Sequence, residues 1–311
     1  MNPKVSVIVP TKNRVHFLSI AIRSILDQSF KDFEIIIVDA ASSEDTRKTV
    51  EQFEDARIRY VSEKTDRGIS ASRNKGIEVS KGEIIAFLDD DDIWMPSKLQ
   101  KQLNLMRDDP LVGVVYTASF KINESGEILG YPNLPFLKGH ILPKILEKNY
   151  IGGCSTVVVK RECLEKSGLF DEDFFFGEDF DLWVRLAKHC RFDYVGDPLV
   201  AYRVHQKRMT TKTDVHQLLA MNRLFFEKHS KELLGDRRAL AAWNYFAGRL
   251  HCECGDMKRG RLHLGQAVAD NPSSLHYYAR LFSAFFGLKV YRQLSDEIFM
   301  NMRARFRHFH I

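Results

Sequence analysis

No stretch of this chain approaches the roughly 18 uncharged apolar residues that a membrane-spanning helix needs. The opening residues also do not read as a secretory leader. Met1-Asn2-Pro3-Lys4 runs directly into Val5-Ser6-Val7-Ile8-Val9-Pro10, too short for a signal segment and without a small-residue cleavage site. Cysteine is scarce and odd in number: Cys154, Cys163, Cys190, Cys252 and Cys254 show no disulfide framework, so thiols in a reducing compartment are expected. Together these absences predict a cytoplasmic protein. The chain also lacks a strong excess of one charge. Its 311 residues carry 46 basic and 41 acidic side chains, and the resulting net charge of +5 is too small to argue for nucleic acid as partner. With 44% hydrophobic and 28% charged residues, the composition is that of a folded chain of one large or two smaller domains.

Hydrophobic periodicity predicts alternating strands and helices in the first part. Val5–Val9 and Phe33–Val38 are apolar, β-branched runs, and Phe17, Leu18, Ala21, Ile22, Ile25 and Leu26 recur between them at helical spacing. Ile58–Val61 reads as a third strand, Ile69–Ser80 as a helix and Glu83–Leu88 as a fourth strand, with Pro96 placed to open the next helix. Such alternation implies parallel pairing in a doubly wound sheet, with ligands at the carboxyl ends of the strands. Polar residues gather at those ends: Thr11, Asp39 and Asp89–Asp92. Further on, Val112–Phe120 and Ser155–Lys160 read as strands, Asp181–His189 as a helix and Leu199–Val204 as a short strand. From about Val215 the pattern is helical.

Four features carry chemistry. Phe87-Leu88-Asp89-Asp90-Asp91-Asp92 sets four acids directly after an apolar strand. They repel one another unless neutralised, and oxygen ligands of this kind suit Mg²⁺ or Mn²⁺ bridging to phosphate; a solvated acidic turn capping the next helix is the plain alternative. Gly68-Ile69-Ser70-Ala71-Ser72-Arg73-Asn74-Lys75-Gly76 opens a helix with two cations in its first turns, which suits phosphate but also an ordinary capped helix. Glu178-Asp179 lies among Phe174, Phe175, Phe176, Phe180 and Trp183. Apolar surroundings raise a carboxylate's pKa and make it a better base, while acids also favour helix starts for structural reasons. Ala201-Tyr202-Arg203-Val204-His205 ends on a histidine that by itself fits a structural role.

Taken in order, K-V-S-V-I-V-P-T-K-N-R, I-I-V-D-A-A-S, G-I-S-A-S-R-N-K-G, G-E-I-I-A-F-L-D-D-D-D-I-W-M-P, S-G-L-F-D-E-D-F, G-E-D-F-D-L-W-V-R and Y-R-V-H resemble the family 2 glycosyltransferases of the GT-A fold, over about two thirds of the chain, from Pro3 to His205. The resemblance implies a Rossmann-like GT-A sheet over 1–212 followed by an all-helical extension over 213–311. It implies an inverting transfer of sugar from a nucleotide-diphosphate sugar, UDP-sugar favoured, to an acceptor hydroxyl in cell-surface polysaccharide or glycoconjugate synthesis. Asp91, as the last acid of the D-x-D signature, and His205 would serve a Mg²⁺ or Mn²⁺ ion. Pro10, Thr11, Asp39, Gly68, Arg73, Asn74, Asp89 and Asp90 would line the nucleotide-sugar site, Asp179 would be the catalytic base, and Glu178 and Trp183 would face the acceptor. Many members carry two acids after the second strand; here Asp39 is followed by Ala40, which puts the uridine contact in question. Two other readings compete. A sugar-1-phosphate nucleotidyltransferase would carry a glycine-rich basic loop where this chain has Pro10-Thr11-Lys12-Asn13-Arg14. A non-catalytic nucleotide-sugar-binding module would not need Asp91 and Asp179.

The tail adds expectations of its own. Ala241–Leu281 loosely resembles one tetratricopeptide unit through Trp243, Tyr245, Ala247, Gly248, Gly255-Asp256, Ala267 and Asn271-Pro272, and a plain helical pair accounts for it equally well. Cys252-Glu253-Cys254 is not a zinc spacing, so core thiols are expected. Arg280–Ile311 interleaves Arg280, Lys289, Arg292, Arg303, Arg305 and Arg307 with apolar residues. That pattern suits peripheral contact with the inner face of a membrane, which would make sense if the acceptor is lipid-linked rather than a glycan alone, or a helix packed on the enzyme itself or in a homodimer.

Overall fold

Strand β1 (Val5–Thr11) is buried along its whole length, as expected of a parallel strand covered by helices on both faces. It pairs in parallel with β2 (Phe33–Ala40) and with β4 (Ile84–Phe87), and β2 pairs with β3 (Ile58–Glu63). The computed structural model describes residues 2–130, 137–205 and 214–293. Helices α1 (Val15–Leu26), α2 (Glu44–Glu51) and α3 (Ile69–Val79) make the crossovers, and α1 turns Leu18, Ala21, Ile22 and Ile25 inward. In this register Thr11 lies beside Asp39, so the carboxyl ends of β1 and β2 form one ledge.

Past β4 the sheet is mixed. Two-residue β5 (Ile93–Trp94) leads into α4 (Lys98–Asp108), then come β6 (Val112–Ile122), β7 (Ile128–Gly130), α5 (Leu142–Ile145), a 3₁₀ turn at Cys154–Thr156, β8 (Val158–Lys160), α6 (Arg161–Ser167), α7 (Glu178–Ala187) and β9 (Arg191–Arg203). The order across the sheet is β3-β2-β1-β4-β8-β6-β9-β5, with β7 on β6. Strand β8 runs antiparallel between β4 and β6, while β6 and β9 are parallel. The parallel pairing expected of the alternating first part holds for β1 to β4, and the irregular middle adds antiparallel pairs together with the parallel pair of β6 and β9. Strand β5 lies antiparallel to β9, Ile93 against Ala201 and Trp94 against Val200, so the acidic turn between β4 and β5 is carried to the end of β9.

Other boundaries depart from the periodicity. Ser155 is in the 3₁₀ turn rather than a strand, α7 begins at Glu178, and β9 begins eight residues before Leu199, at Arg191. Gly177 explains the helix start: at φ +79° it takes a left-handed backbone that favours glycine and turns the chain into α7. Helix α2, E-D-T-R-K-T-V-E, carries too few apolar residues for its periodicity to register.

The chain divides into two compact units, Met1–Ile145 with Asn149–Thr211, and Leu146–Lys148 with Lys212–Ile311. Helices α8 (Val215–Gly235), α9 (Arg237–Glu253), α10 (Met257–Asp270) and α11 (Leu275–Ser283) belong to the second unit. Asp214, Asp236 and Asp256 cap the first three, each accepting backbone N–H bonds, and Asp214 closes a capping box with Gln217. Helices α9 and α10 pack against each other, and Cys252 of α9, Leu264 of α10 and Ala284 and Tyr291 beyond α11 build a small core. Cys252 is thus a core thiol, and Cys254 is partly exposed. Among the described residues no helix is long and apolar enough to cross a membrane. Arg303, Arg305 and Arg307 of the basic tail lie outside the described residues.

Candidate active site

The acidic turn is neutralised one carboxylate at a time. Asp89 accepts from Arg73 Nη2 at 2.7 Å, and its backbone N–H donates to Ser155 Oγ at 3.1 Å. Asp90 accepts from Thr11 Oγ1 at 2.8 Å and from Arg14 Nη1 at 3.0 Å. Asp91 Oδ2 takes the same Arg14 nitrogen at 2.9 Å and faces His205 Nε2 at 2.9 Å. Asp92 accepts from Ser155 Oγ at 2.7 Å and from the Arg203 backbone N–H at 3.1 Å, while Arg203 Nε donates to the Asp91 carbonyl at 3.0 Å. Burial raises Asp90 to about 7 against the opposing charge of Arg14, and the neighbouring Asp91 adds to the rise.

One oxygen is left over. Among the described residues Asp91 Oδ1 is buried without a hydrogen-bond partner, and so is His205 Nδ1. A lone carboxylate oxygen beside an imidazole suits a divalent cation that takes one or two protein ligands and completes its shell from phosphate and water. Among the described residues no group of three or more His, Cys, Asp and Glu side chains is arranged to hold a metal. The protein thus provides a partial shell that fits an ion arriving with a diphosphate and does not fit an all-protein cage.

The second centre is the start of α7. Asp179 accepts its neighbour's N–H, Phe180, at 2.6 Å. Its carboxylate is raised to about 7, first by burial and then by the charge of Glu178, with Arg73 pulling the other way. Arg73 joins the two centres: Nη1 donates to Glu178 at 2.7 Å while Nη2 holds Asp89, and the side chain is 3% exposed.

Several expected site residues have partners within the protein. Arg73, assigned to the nucleotide, spends both terminal nitrogens on carboxylates. The amide of Asn74 is taken by the loop before α7, donating to the Phe170 carbonyl at 2.8 Å and accepting its N–H at 2.9 Å. Trp183, assigned to the acceptor, is fully buried with Nε1 on the Gly152 carbonyl at 3.2 Å, so it packs the core. Glu178 points at Arg73 rather than at open space. Near the strand ends, Pro10 is buried opposite Val38, and the Gly68 N–H donates to Asp66, which Lys12 holds at 2.7 Å. Asp39 accepts from the Ser42 N–H at 2.8 Å and from the Tyr60 hydroxyl. Burial, with the Asp39 contact, pushes the Tyr60 phenol well above its ordinary value.

Periodicity and motif reading passed over Arg14, Tyr60, Ser155 and Arg203. Arg14 and Arg203 stood inside quoted motifs, three residues after Thr11 and two before His205. Tyr60 and Ser155 carried no local signal, because their partners are 21 and 63–66 residues away.

Comparison with known proteins matches residues 6–167 to the model of Glycosyl transferase family 2. An uncharacterized glycosyltransferase of Haemophilus influenzae is 32% identical over 212 residues, 67% of this chain and 71% of that protein. A UDP-Glc:alpha-D-GlcNAc-diphosphoundecaprenol beta-1,3-glucosyltransferase of Escherichia coli is 31% identical over 209 residues, covering 67% of this chain and 79% of that one. An uncharacterized glycosyltransferase of Rickettsia felis is 36% identical over 185 residues, 59% of this chain, and the match spans 30% of that longer protein. Among solved structures, S. aureus TarS 1-349 superposes with a TM-score of 0.66 at 18% identity, over 96% of this chain and 92% of that one. Its complex with UDP-GlcNAc gives 0.65 at 16% identity with the same coverage. At these identities the likeness is one of fold.

Proposed function

This chain belongs to glycosyl transferase family 2, and we propose that it is an inverting glycosyltransferase that moves a sugar from a nucleoside-diphosphate sugar to an acceptor hydroxyl. The observation that carries the reading is the pair of centres joined by Arg73: an acidic turn with one unsatisfied oxygen, and a carboxylate poised near neutrality at the start of α7. Asp91 and His205 would hold Mg²⁺ or Mn²⁺ together with the donor diphosphate. Bound there, the ion would supply positive charge to the departing diphosphate.

The chain's own groups account for the rest. Asp179 takes the proton of the acceptor hydroxyl, the hydroxyl oxygen forms its bond to the anomeric carbon, and the bond from that carbon to the diphosphate oxygen breaks on the opposite face. The proton ends on Asp179 and the electron pair on the nucleoside diphosphate, with inversion at carbon. A pKa of about 7 suits a base working at neutral pH. Asp39, which accepts from Tyr60 and Ser42, would lie by the nucleoside.

A uridine donor is the first choice. The Escherichia coli relative is named for UDP-Glc and the TarS structure holds UDP-GlcNAc, while Ala40 removes the second acid that many members use. The acceptor named for that relative is a diphosphoundecaprenol-linked sugar, which supports a lipid-linked glycan acceptor and a role in surface polysaccharide synthesis.

The test is a screen of nucleotide-sugars for binding, hydrolysis and transfer with and without Mn²⁺, repeated on Asp91→Asn. Activity that needs Mn²⁺ and disappears in Asp91→Asn is expected. A wild-type protein that binds donors yet neither hydrolyses nor transfers them would make the chain a binding module instead.

A further inference from the structure

The helical unit carries an apolar patch that its own packing leaves uncovered. Phe282, Phe285 and Phe286 are 64%, 66% and 52% exposed, and Leu262 on α10 is 72% exposed. They fall into two groups linked through the consecutive residues Phe285 and Phe286. Phe282 packs edge-on against Phe286 with ring centres 4.9 Å apart, and Leu262 and Phe285 line one shallow cavity with Lys258, Arg259 and Arg261. Arg261 ties the two parts together, donating to the Ala284 carbonyl at 3.1 Å while its guanidinium lies 5.4 Å from the Phe285 ring centre. Asp256 is the one acid in the lining, and Lys258 and Arg259 are exposed. Clustered aromatic surface rimmed by cations is unfavourable in water and marks a face that becomes covered.

What covers it must be apolar at the centre and anionic at the rim. A second copy meeting this face through a two-fold axis sets cation against cation. The chain's final segment, 294–311, brings Arg303, Arg305 and Arg307 against only Asp296 and Glu297, which is again the wrong sign. An anionic bilayer supplies both requirements, phosphates at the surface and acyl chains directly beneath. We propose that this face of the helical unit docks on an anionic phospholipid surface. The three phenylalanine rings enter the boundary between headgroups and acyl chains, and Lys258, Arg259 and Arg261 stay level with the phosphates. The docking is independent of which sugar is transferred.

Flotation of the full chain with vesicles tests it, using phosphatidylcholine alone or mixed with phosphatidylglycerol, at low and high salt. Salt-sensitive flotation only with the mixed vesicles is expected. Lys258→Gln and Arg259→Gln should each weaken it by about fivefold. Phe282→Ser with Phe285→Ser should abolish it, while circular dichroism and donor binding stay unchanged. Flotation that is absent, equal on neutral vesicles or undiminished in the phenylalanine variant would overturn the proposal. So would a dimer seen by analytical ultracentrifugation that this variant converts to monomer, which would assign the face to a second copy. Failure here leaves the donor screen untouched, so the two readings fall separately.

Discussion

At the scale of single residues, the chemistry rests on charges that the fold balances without removing. Asp179 would be an ordinary acid in water; burial and the adjacent Glu178 raise it to about 7, and Arg73 keeps it from rising further. As the base it must be ionised, so kcat/KM should climb with pH through about 7 and level off above it. Asp179→Asn should lower turnover by about 10²–10⁴-fold and remove that titration, with donor affinity nearly unchanged. Measuring both quantities on one preparation checks this, and wild-type turnover in Asp179→Asn alongside a dead Glu178→Gln would reverse the assignment. The two acids are adjacent in the chain, yet Glu178 is committed to Arg73. The motif order assigned Asp91 and His205 to a metal and Asp179 to the base; the fold sets Asp91 against His205 and Asp179 in the first turn of α7. The same reading placed Arg73, Asn74 and Trp183 beside ligands; within the protein their partners include Asp89 and Glu178, Phe170, and Gly152.

At the scale of elements, long runs with a clear period were legible and short or polar ones were not. Strands β1, β2 and β4 are buried on both faces and so read as continuous apolar runs. Helix α2 is mostly charged, and the early part of β9 alternates around Gly196 and Pro198, so neither announced itself. Helix contacts make their own demands. A Cβ on Gly260 would lie 2.2 Å from Cys252 Sγ, which is why α9 and α10 can pack this closely only with glycine there. Gly260→Ala should therefore destabilise the helical unit by about 1–3 kcal/mol, the usual cost of overpacking. A thermal melt followed by circular dichroism should show the loss, while the pairing of Cys252→Ala with Gly260→Ala should recover part of it.

At the scale of the whole molecule, the same burial that tunes the site costs stability. Asp90 and Asp179 both rise from an ordinary 3.8 to about 7 in the folded chain. Between those values the unfolded chain has lost these protons and the folded chain still holds them, so stability falls as pH rises through that window. Each group can contribute up to about 1.4 kcal/mol per pH unit. The melting temperature should decline from pH 5 to about pH 7, and the decline should shrink when Asp90→Asn and Asp179→Asn are combined; an unchanged slope would mean that neither group titrates there. The amino-acid sequence by itself determined the strand–helix alternation, the acids at the end of β4 and the helical character of the tail, because hydrophobic period and turn chemistry act within a dozen or so residues. Only the tertiary structure decided that the sheet is mixed beyond β4, that β5 lies along β9, and that Arg14, Arg73, Arg203 and His205 converge on one acidic turn. Those partners are separated by 16 to 114 residues of chain, and charge balance over such distances is settled by which surfaces pack, a property no local window contains.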